Sequence, residues 1–284
     1  MAAQVPAAAE GRGRRVAGSG PALYLLRHGQ TVWNVGGRGQ GRLDPPLTEL
    51  GVQQAQAHRH TLAALPLTCA YVSPMGRAQK TASLALEGRD VPLTVLDELA
   101  EVDLEHLSKE LSTFDRTGGQ ASSWASVLPK TVSEFGRVFG SMEASGVSFP
   151  DAVIRTHALG ELAGLLPAER LARFPILAGA RKRDKYRTVV PGGESDETAA
   201  PRAARALERI RADGPGDVLI VSHEMIGRLL RMLLLGLTPG QALSLSHPQD
   251  TIDRIEDGTL AVSMGGQPFQ SAFPHPGPDP PALH

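Results

Sequence analysis

A single cysteine, Cys69, stands among 284 residues. One thiol can close no intrachain disulfide and can build no multi-cysteine metal site. Also absent is any apolar run of the roughly eighteen residues that a bilayer-spanning helix needs, and no apolar stretch near the start is long enough for a signal-peptide core. An excess of either charge is missing too: 29 basic residues face 30 acidic ones, for a formal net charge of −1. That balance excludes the chain-wide basic bias of a dedicated nucleic-acid binder, while leaving room for a local basic pocket. These absences make a cytoplasmic protein the expectation, with no membrane or nucleic-acid partner and no metal. The oligomeric state leaves no trace in the sequence.

What the chain does have is 41% hydrophobic residues, enough for a sizeable buried core. Both ends read as unfolded. Residues 1–20 combine alanine and glycine with Arg12, Arg14 and Arg15, and residues 266–284 are dense in proline. Between them, over residues 21–265, strand-like and helix-like segments alternate. Ala22–Leu26, Cys69–Val72, Leu93–Leu96 and Asp217–Val221 read as strands, the first and last of them continuous apolar runs suited to burial on both faces. Thr48–Leu65, Met75–Leu86, Ala203–Ile210 and Met225–Leu237 read as helices, and Asp257-Gly258 between Thr251–Ile255 and Thr259–Met264 signals a hairpin. The pattern predicts one α/β domain, a mostly parallel open sheet with helices on both faces. Residues 105–158, rich in serine and glycine, interrupt it as an irregular insertion, with one possible helix near Val132–Phe139.

Chemistry gathers where strands end. Leu23–Leu26 runs into Arg27-His28-Gly29, Val218–Val221 into Ser222-His223, and Tyr71-Val72 into Ser73-Pro74 with Arg77 in the next helical turn. In an open parallel sheet the carboxyl ends of the strands share one edge, where ligands bind. Two histidines and two arginines therefore meet at one crevice. Arginine forks match the oxygens of phosphate or carboxylate. A neutral imidazole can attack phosphorus while a second, protonated one shares the oxygens' charge, and phosphoryl transfer needs mainly positioning and charge stabilisation. A carboxylate substrate would suit the arginines but would give the histidine pair no role.

Arg27-His28-Gly29-Gln30-Thr31, Trp33-Asn34, Gln40-Gly41, Asp44, Pro46-Leu47-Thr48 and Gly51 together resemble the opening of the histidine phosphatase superfamily, also called phosphoglycerate-mutase-like. Ser73-Pro74 with Arg77 and Thr81, then Pro191-Gly192-Gly193-Glu194-Ser195, then Val221-Ser222-His223, are similar to its later blocks. The resemblance implies that His28 is the phosphorylated nucleophile, and that Arg27, Arg77 and His223 grip the phosphoryl oxygens. It further implies that Asn34, Gln40 and Gly41 line the substrate pocket and that Glu101 is the general acid, with no cofactor required and a small phosphorylated metabolite as substrate.

Two departures matter. The glycine and tryptophan-containing stretch that follows the acid in the family is missing after Glu101, and a similar segment, Leu159–Gly164 with Glu161, comes only after the insertion. Glu101 is preferred over Glu105 and Glu161 because it directly follows the strand at Leu93–Leu96. Glu224 follows His223 where many members have glycine. The expected activity is a metal-independent phosphatase. A phosphoglycerate-mutase-type phosphotransferase is the alternative, since the basic run Arg181–Arg187 could hold a carboxylate, although such a run usually forms a solvated face. An inert phosphate-binding module is the other.

Overall fold

The computed structural model describes residues 20–104, 164–190, 193–214 and 216–272. Four strands run parallel: β1 (Leu23–Arg27), β2 (Leu67–Val72), β3 (Leu93–Val95) and β4 (Asp217–Ser222). β5 (Thr251–Glu256), β6 (Thr259–Met264) and β7 (Gln270–Ser271) extend the sheet antiparallel, in the order β3-β2-β4-β1-β5-β6-β7. The expected α/β architecture, a mostly parallel open sheet, is the one observed.

Side-chain alternation along β1 builds a core on each face of the sheet. Tyr24 and Leu26 join Ala70, Val72, Leu219 and Val221 against α2 (Glu49–Ala63) and α3 (Gly76–Ala85). Leu23 and Leu25 join Tyr71, Val218 and Ile220 against α6 (Asp196–Ala212) and α7 (Glu224–Leu235). Each fully buried leucine or isoleucine here contributes roughly 1.5–3 kcal/mol over an exposed one, so the two layers together fix the sheet. Of the remaining helices, α1 (Val32–Val35) follows β1, α4 (Pro167–Arg173) and α5 (Pro175–Arg183) precede α6, and α8 (Pro239–Ser244) follows α7. Among the described residues no helix is long and apolar enough to cross a membrane.

The structure departs from the expected element boundaries in two informative places. α6 begins at Asp196, a full two turns before Ala203. Ser195 and Thr198 start it as a capping box: the Thr198 N–H donates to Ser195 Oγ at 3.1 Å, and the Ser195 N–H donates to Thr198 Oγ1 at 2.8 Å. The anticipated unfolded tail from residue 266 is corrected as well. Gln270–Ser271 pairs with Ala261–Val262, and the Phe269 ring lies 5.8 Å from that of Tyr24, so residues as far as 272 belong to the sheet. The hairpin forms where expected, with φ of 47° at Asp257 and 72° at Gly258, as a primed turn requires. The expected insertion at 105–158, the helix expected near Val132–Phe139 and the terminal segments 1–19 and 273–284 lie outside the described residues, as do Glu105 and Glu161.

Candidate active site

Backbone pairing stitches three strand ends into one edge. The His28 N–H donates to the Ser222 carbonyl at 3.0 Å, and the Ser73 N–H donates to the Val221 carbonyl, also at 3.0 Å. Because β1 lies beside β4, His28 and His223 follow in register, and their ring centroids stand 5.1 Å apart. Close packing behind them accounts for the glycines of the first block. A Cβ on Gly29 would come within 2.4 Å of the Gly51 carbonyl oxygen, and one on Gly51 within 2.1 Å of the Gln30 oxygen. The first turn of α2 can approach the His28 loop this closely only with both side chains absent.

The two imidazoles are held differently. His28 Nδ1 lies 2.8 Å from the Gly29 carbonyl oxygen, which can only accept, so Nδ1 carries the proton and Nε2 keeps a free lone pair. Burial, then the charges of Arg77 and Arg27, hold His28 well below the ordinary value near 6.5, which favours the neutral imidazole. His223 Nε2 lies 2.7 Å from Ser73 Oγ, and its Nδ1 is buried with no partner among the described residues. Burial, Arg77 and His28 depress its pKa too. That lowering runs against the expected protonated second imidazole, and the charge of an incoming dianion would favour its proton.

Arg77, fully buried on the first turn of α3, donates from Nη2 to the Gly41 carbonyl at 2.9 Å and from Nη1 to Asp44 Oδ1 at 3.3 Å. Asp44 also accepts from the Gly76 and Arg77 amides at 2.6 and 3.0 Å, capping a helix whose own N-cap, Met75, has no side-chain cap. One carboxylate therefore aims the arginine and starts its helix. Gly41 contributes its carbonyl from a φ of 53°, a left-handed conformation in which a side chain would be strained. Arg27 donates from Nη1 to the His247 carbonyl and pairs with Glu224 Oε2, both at 3.1 Å. Asn34 turns its oxygen inward, accepting from the Thr31 amide at 3.0 Å and from Gln249 Nε2 at 2.9 Å, which leaves its amide nitrogen as the available donor. Gln40 Oε1 is buried without a partner among the described residues.

Glu101 reaches the same edge from the loop after β3. Its Oε1 accepts from the Val102 amide at 2.9 Å and the Ile226 amide at 3.3 Å, and its Oε2 accepts from the Met225 amide at 3.4 Å. It thus caps α7 in place of His223, the N-cap residue, whose side chain makes no capping bond. Burial pushes its carboxyl above the ordinary value, against the pull of the Val102 amide and of Arg77. A cavity of about 380 Å³ opens here, and Arg27, His28, Asn34, Gln40, Arg77 and Glu101 all line it, as does Gly41.

Sequence reasoning missed the residues that hold Glu101. Arg202 clasps Glu194 with Nε and Nη2 at 2.8 and 2.7 Å and donates to the Glu98, Ala100 and Glu101 carbonyls at 2.9, 2.6 and 3.1 Å. Glu194 accepts in turn from the Asp103 amide at 2.9 Å. Glu194 is thus one half of a clamp on residues 98–103. The Gly193-Glu194 block signalled one side of it, whereas Arg202 carries no local signal. Glu224 also finds a place: besides Arg27 it pairs with Arg228 at 3.0 Å, and so turns toward the cationic cluster.

Comparison with known proteins fits this geometry. A family model described as histidine phosphatase superfamily (branch 1) matches residues 23–137 and 149–258. A 2,3-bisphosphoglycerate-dependent phosphoglycerate mutase of Chlamydia trachomatis is 28% identical over 233 residues, 80% of this chain and 89% of that protein. An adenosylcobalamin/alpha-ribazole phosphatase of Salmonella typhimurium is 45% identical over 80 residues, 28% of this chain and 40% of its own length. Among solved structures, Bacillus stearothermophilus YhfR superimposes with a TM-score of 0.60 at 25% identity, covering 87% of this chain and 96% of that one.

Proposed function

The chain belongs to the histidine phosphatase superfamily, and on that premise we propose that it is a metal-independent phosphatase, hydrolysing small phosphate monoesters through a phosphohistidine at His28. The observation that carries this reading is the orientation of His28: Nδ1 tied to the Gly29 carbonyl, Nε2 free, and Arg27, Arg77 and Glu101 around the same cavity. In the first step Nε2 forms a bond to phosphorus as the bond to the leaving oxygen breaks. Arg27, Arg77 and His223 take the charge of the equatorial oxygens. Glu101, whose carboxyl burial pushes above the ordinary value, gives its proton to the leaving oxygen. The resulting carboxylate then takes a proton from water as that water attacks phosphorus, and phosphate leaves with His28 restored. Asn34, Gln40 and Gly41 border the space for the ester.

Purified protein should hydrolyse 4-nitrophenyl phosphate at mildly acidic pH with a chelator present; complete loss of activity in chelator would point to a metal-dependent phosphatase. A mutase is the second reading, favoured by the Chlamydia relative over 80% of the chain. Both reactions phosphorylate His28, and they part over whether water reaches the phosphohistidine. Efficient isomerisation of 3-phosphoglycerate, stimulated by 2,3-bisphosphoglycerate, would establish the mutase. Tight vanadate binding by a protein inactive on every ester would establish an inert pocket.

A further inference from the structure

The structure buries a charge pair that the proposed chemistry does not use. Arg231 on α7 and Asp253 on β5 are each 2% exposed and lie 3.3 Å apart, Nη1 to Oδ2. His247, equally buried, places its Nε2 3.8 Å from the same Asp253 oxygen. Gly227 makes room for that ring, since a Cβ there would come within 2.5 Å of His247 Nδ1. None of these three residues lines the cavity. The cluster is a costly way to hold a fold. Burial raises the Asp253 carboxyl to about 6 despite Arg231, and Arg231 Nη2 finds no hydrogen bond among the described residues. Apolar residues of similar size often match or better the stability of such a buried pair.

Its connections lead to the site. Asp253 pairs in register with Leu25, two residues before Arg27, so Leu25 and Arg27 share the sheet face on which α7 packs. Arg231 rests Nε on the Gly227 carbonyl of its own helix at 3.3 Å and donates from Nη1 to the Ser246 carbonyl at 2.7 Å. The next carbonyl along the chain, that of His247, accepts from Arg27 Nη1 at 3.1 Å. Arg27 Nε is left buried with no partner among the described residues. The rest of the segment between α8 and β5 is held in the same manner. The Leu245 carbonyl accepts from Arg228 Nε at 3.3 Å, and the Gln249 carbonyl lies 3.3 Å from His58 Nε2. Gln249 Nε2 then donates to Asn34 Oδ1 at 2.9 Å. A segment fixed at four carbonyls thus touches two residues of the cavity wall, Arg27 and Asn34.

We infer that Arg231 and Asp253 are positioning residues for Arg27. Arg231, neutralised by Asp253, fixes the Ser246 carbonyl and with it the His247 carbonyl. That carbonyl holds Arg27 by Nη1, so that the rest of the guanidinium faces the phosphoryl oxygens. Neither Arg231 nor Asp253 touches the substrate. The inference deepens the phosphatase reading and rests on Arg27 gripping the phosphoryl group.

A mutant cycle with Arg27 tests it. The paired variant Arg231→Gln/Asp253→Asn strands no buried charge. It should weaken orthovanadate binding, measured by calorimetry, and lower kcat/KM for 4-nitrophenyl phosphate by about tenfold or more. In Arg27→Ala, which already lacks the group being aimed, the same two substitutions should cost less than about twofold further. Arg231→Lys keeps the buried charge without the planar fork. It should lose less, again only while Arg27 is present, and it decides the question if circular dichroism shows the paired variant unfolded. A role in the fold alone would lower the melting temperature and leave both quantities unchanged in the folded protein, or would cost as much in Arg27→Ala as in the wild type. Either result overturns the inference. Wild-type protein that binds orthovanadate without hydrolysing any ester would bring down the phosphatase reading alone, and the cycle read as Kd would still decide the role of Arg231. Wild-type protein that does neither would bring down both.

Discussion

His28 and Glu101 are tuned in opposite directions by one cause, their removal from water. Burial lowers the imidazole, reinforced by Arg77 and Arg27, and raises the carboxyl. The proposed mechanism needs His28 neutral and Glu101 protonated. Rate should therefore fall as pH drops through the depressed pKa of His28, which lies well below 6.5. It should also fall as pH rises through that of Glu101, which lies above 4.5. The expected profile of kcat/KM on an alkyl phosphate is a bell on the acid side of neutrality. Glu101→Gln should flatten its basic limb and cost on the order of 10²–10⁴-fold for an alkyl leaving group, much less for 4-nitrophenol. Steady-state kinetics on the two esters checks this. An unaltered alkyl phosphate rate would take the proton-donor role away from Glu101.

The elements hold the site by close approach and by clamps, and both can be tested. Gly51→Ala puts a methyl carbon 2.1 Å from a backbone oxygen that cannot simply rotate away. It should destabilise the fold by about 1–3 kcal/mol in urea unfolding. Arg202→Ala should cost up to about 3–5 kcal/mol, because it strands Glu194 beside the 98–103 loop. Burial raises the Glu194 carboxyl, but Arg202 outweighs it and the net pKa is lowered. The pair's contribution is therefore present above the unfolded-state pKa and lost as pH falls through the folded one, so the gap between variant and wild type should narrow in acid. The same variant should lower kcat more than it raises KM, since Arg202 holds the loop that carries Glu101 and does not line the cavity. What was legible in the sequence follows from this difference. His28, His223 and Arg77 stand directly at or after strand ends, so period and topology locate them. Arg202 acts on carbonyls about a hundred residues away, and no local pattern reports such a contact. That Arg181 and Lys185 line the cavity while Lys182 and Arg183 are exposed was not legible either, because α4 and α5 were not read as helices and a charge run looks the same whether it faces water or a cavity.

At the scale of the molecule, the strands and the two core layers of the described residues stand without residues 105–163, and the two flanks of that segment come together. Leu104 lies against Gly41, where a Cβ would meet its side chain at 3.1 Å, and the Gly164 amide donates to the Gly39 carbonyl at 2.8 Å. Replacing 105–163 by a short glycine-serine linker should leave a cooperatively unfolding protein that still binds inorganic phosphate; circular dichroism and calorimetry would show it, and a chain that fails to fold would refute it. The site itself is a property of the whole chain, since residues near 28, 77, 101 and 223 reach one cavity or its rim only through the sheet order. The central claim is that this assembly moves phosphate onto His28 Nε2. Rapid acid-free quenching with a radiolabelled phosphate ester, followed by peptide mapping, measures it directly. The account predicts an acid-labile, base-stable label on His28 that vanishes in His28→Ala. A label on any other residue, or one that persists in His28→Ala, would contradict it.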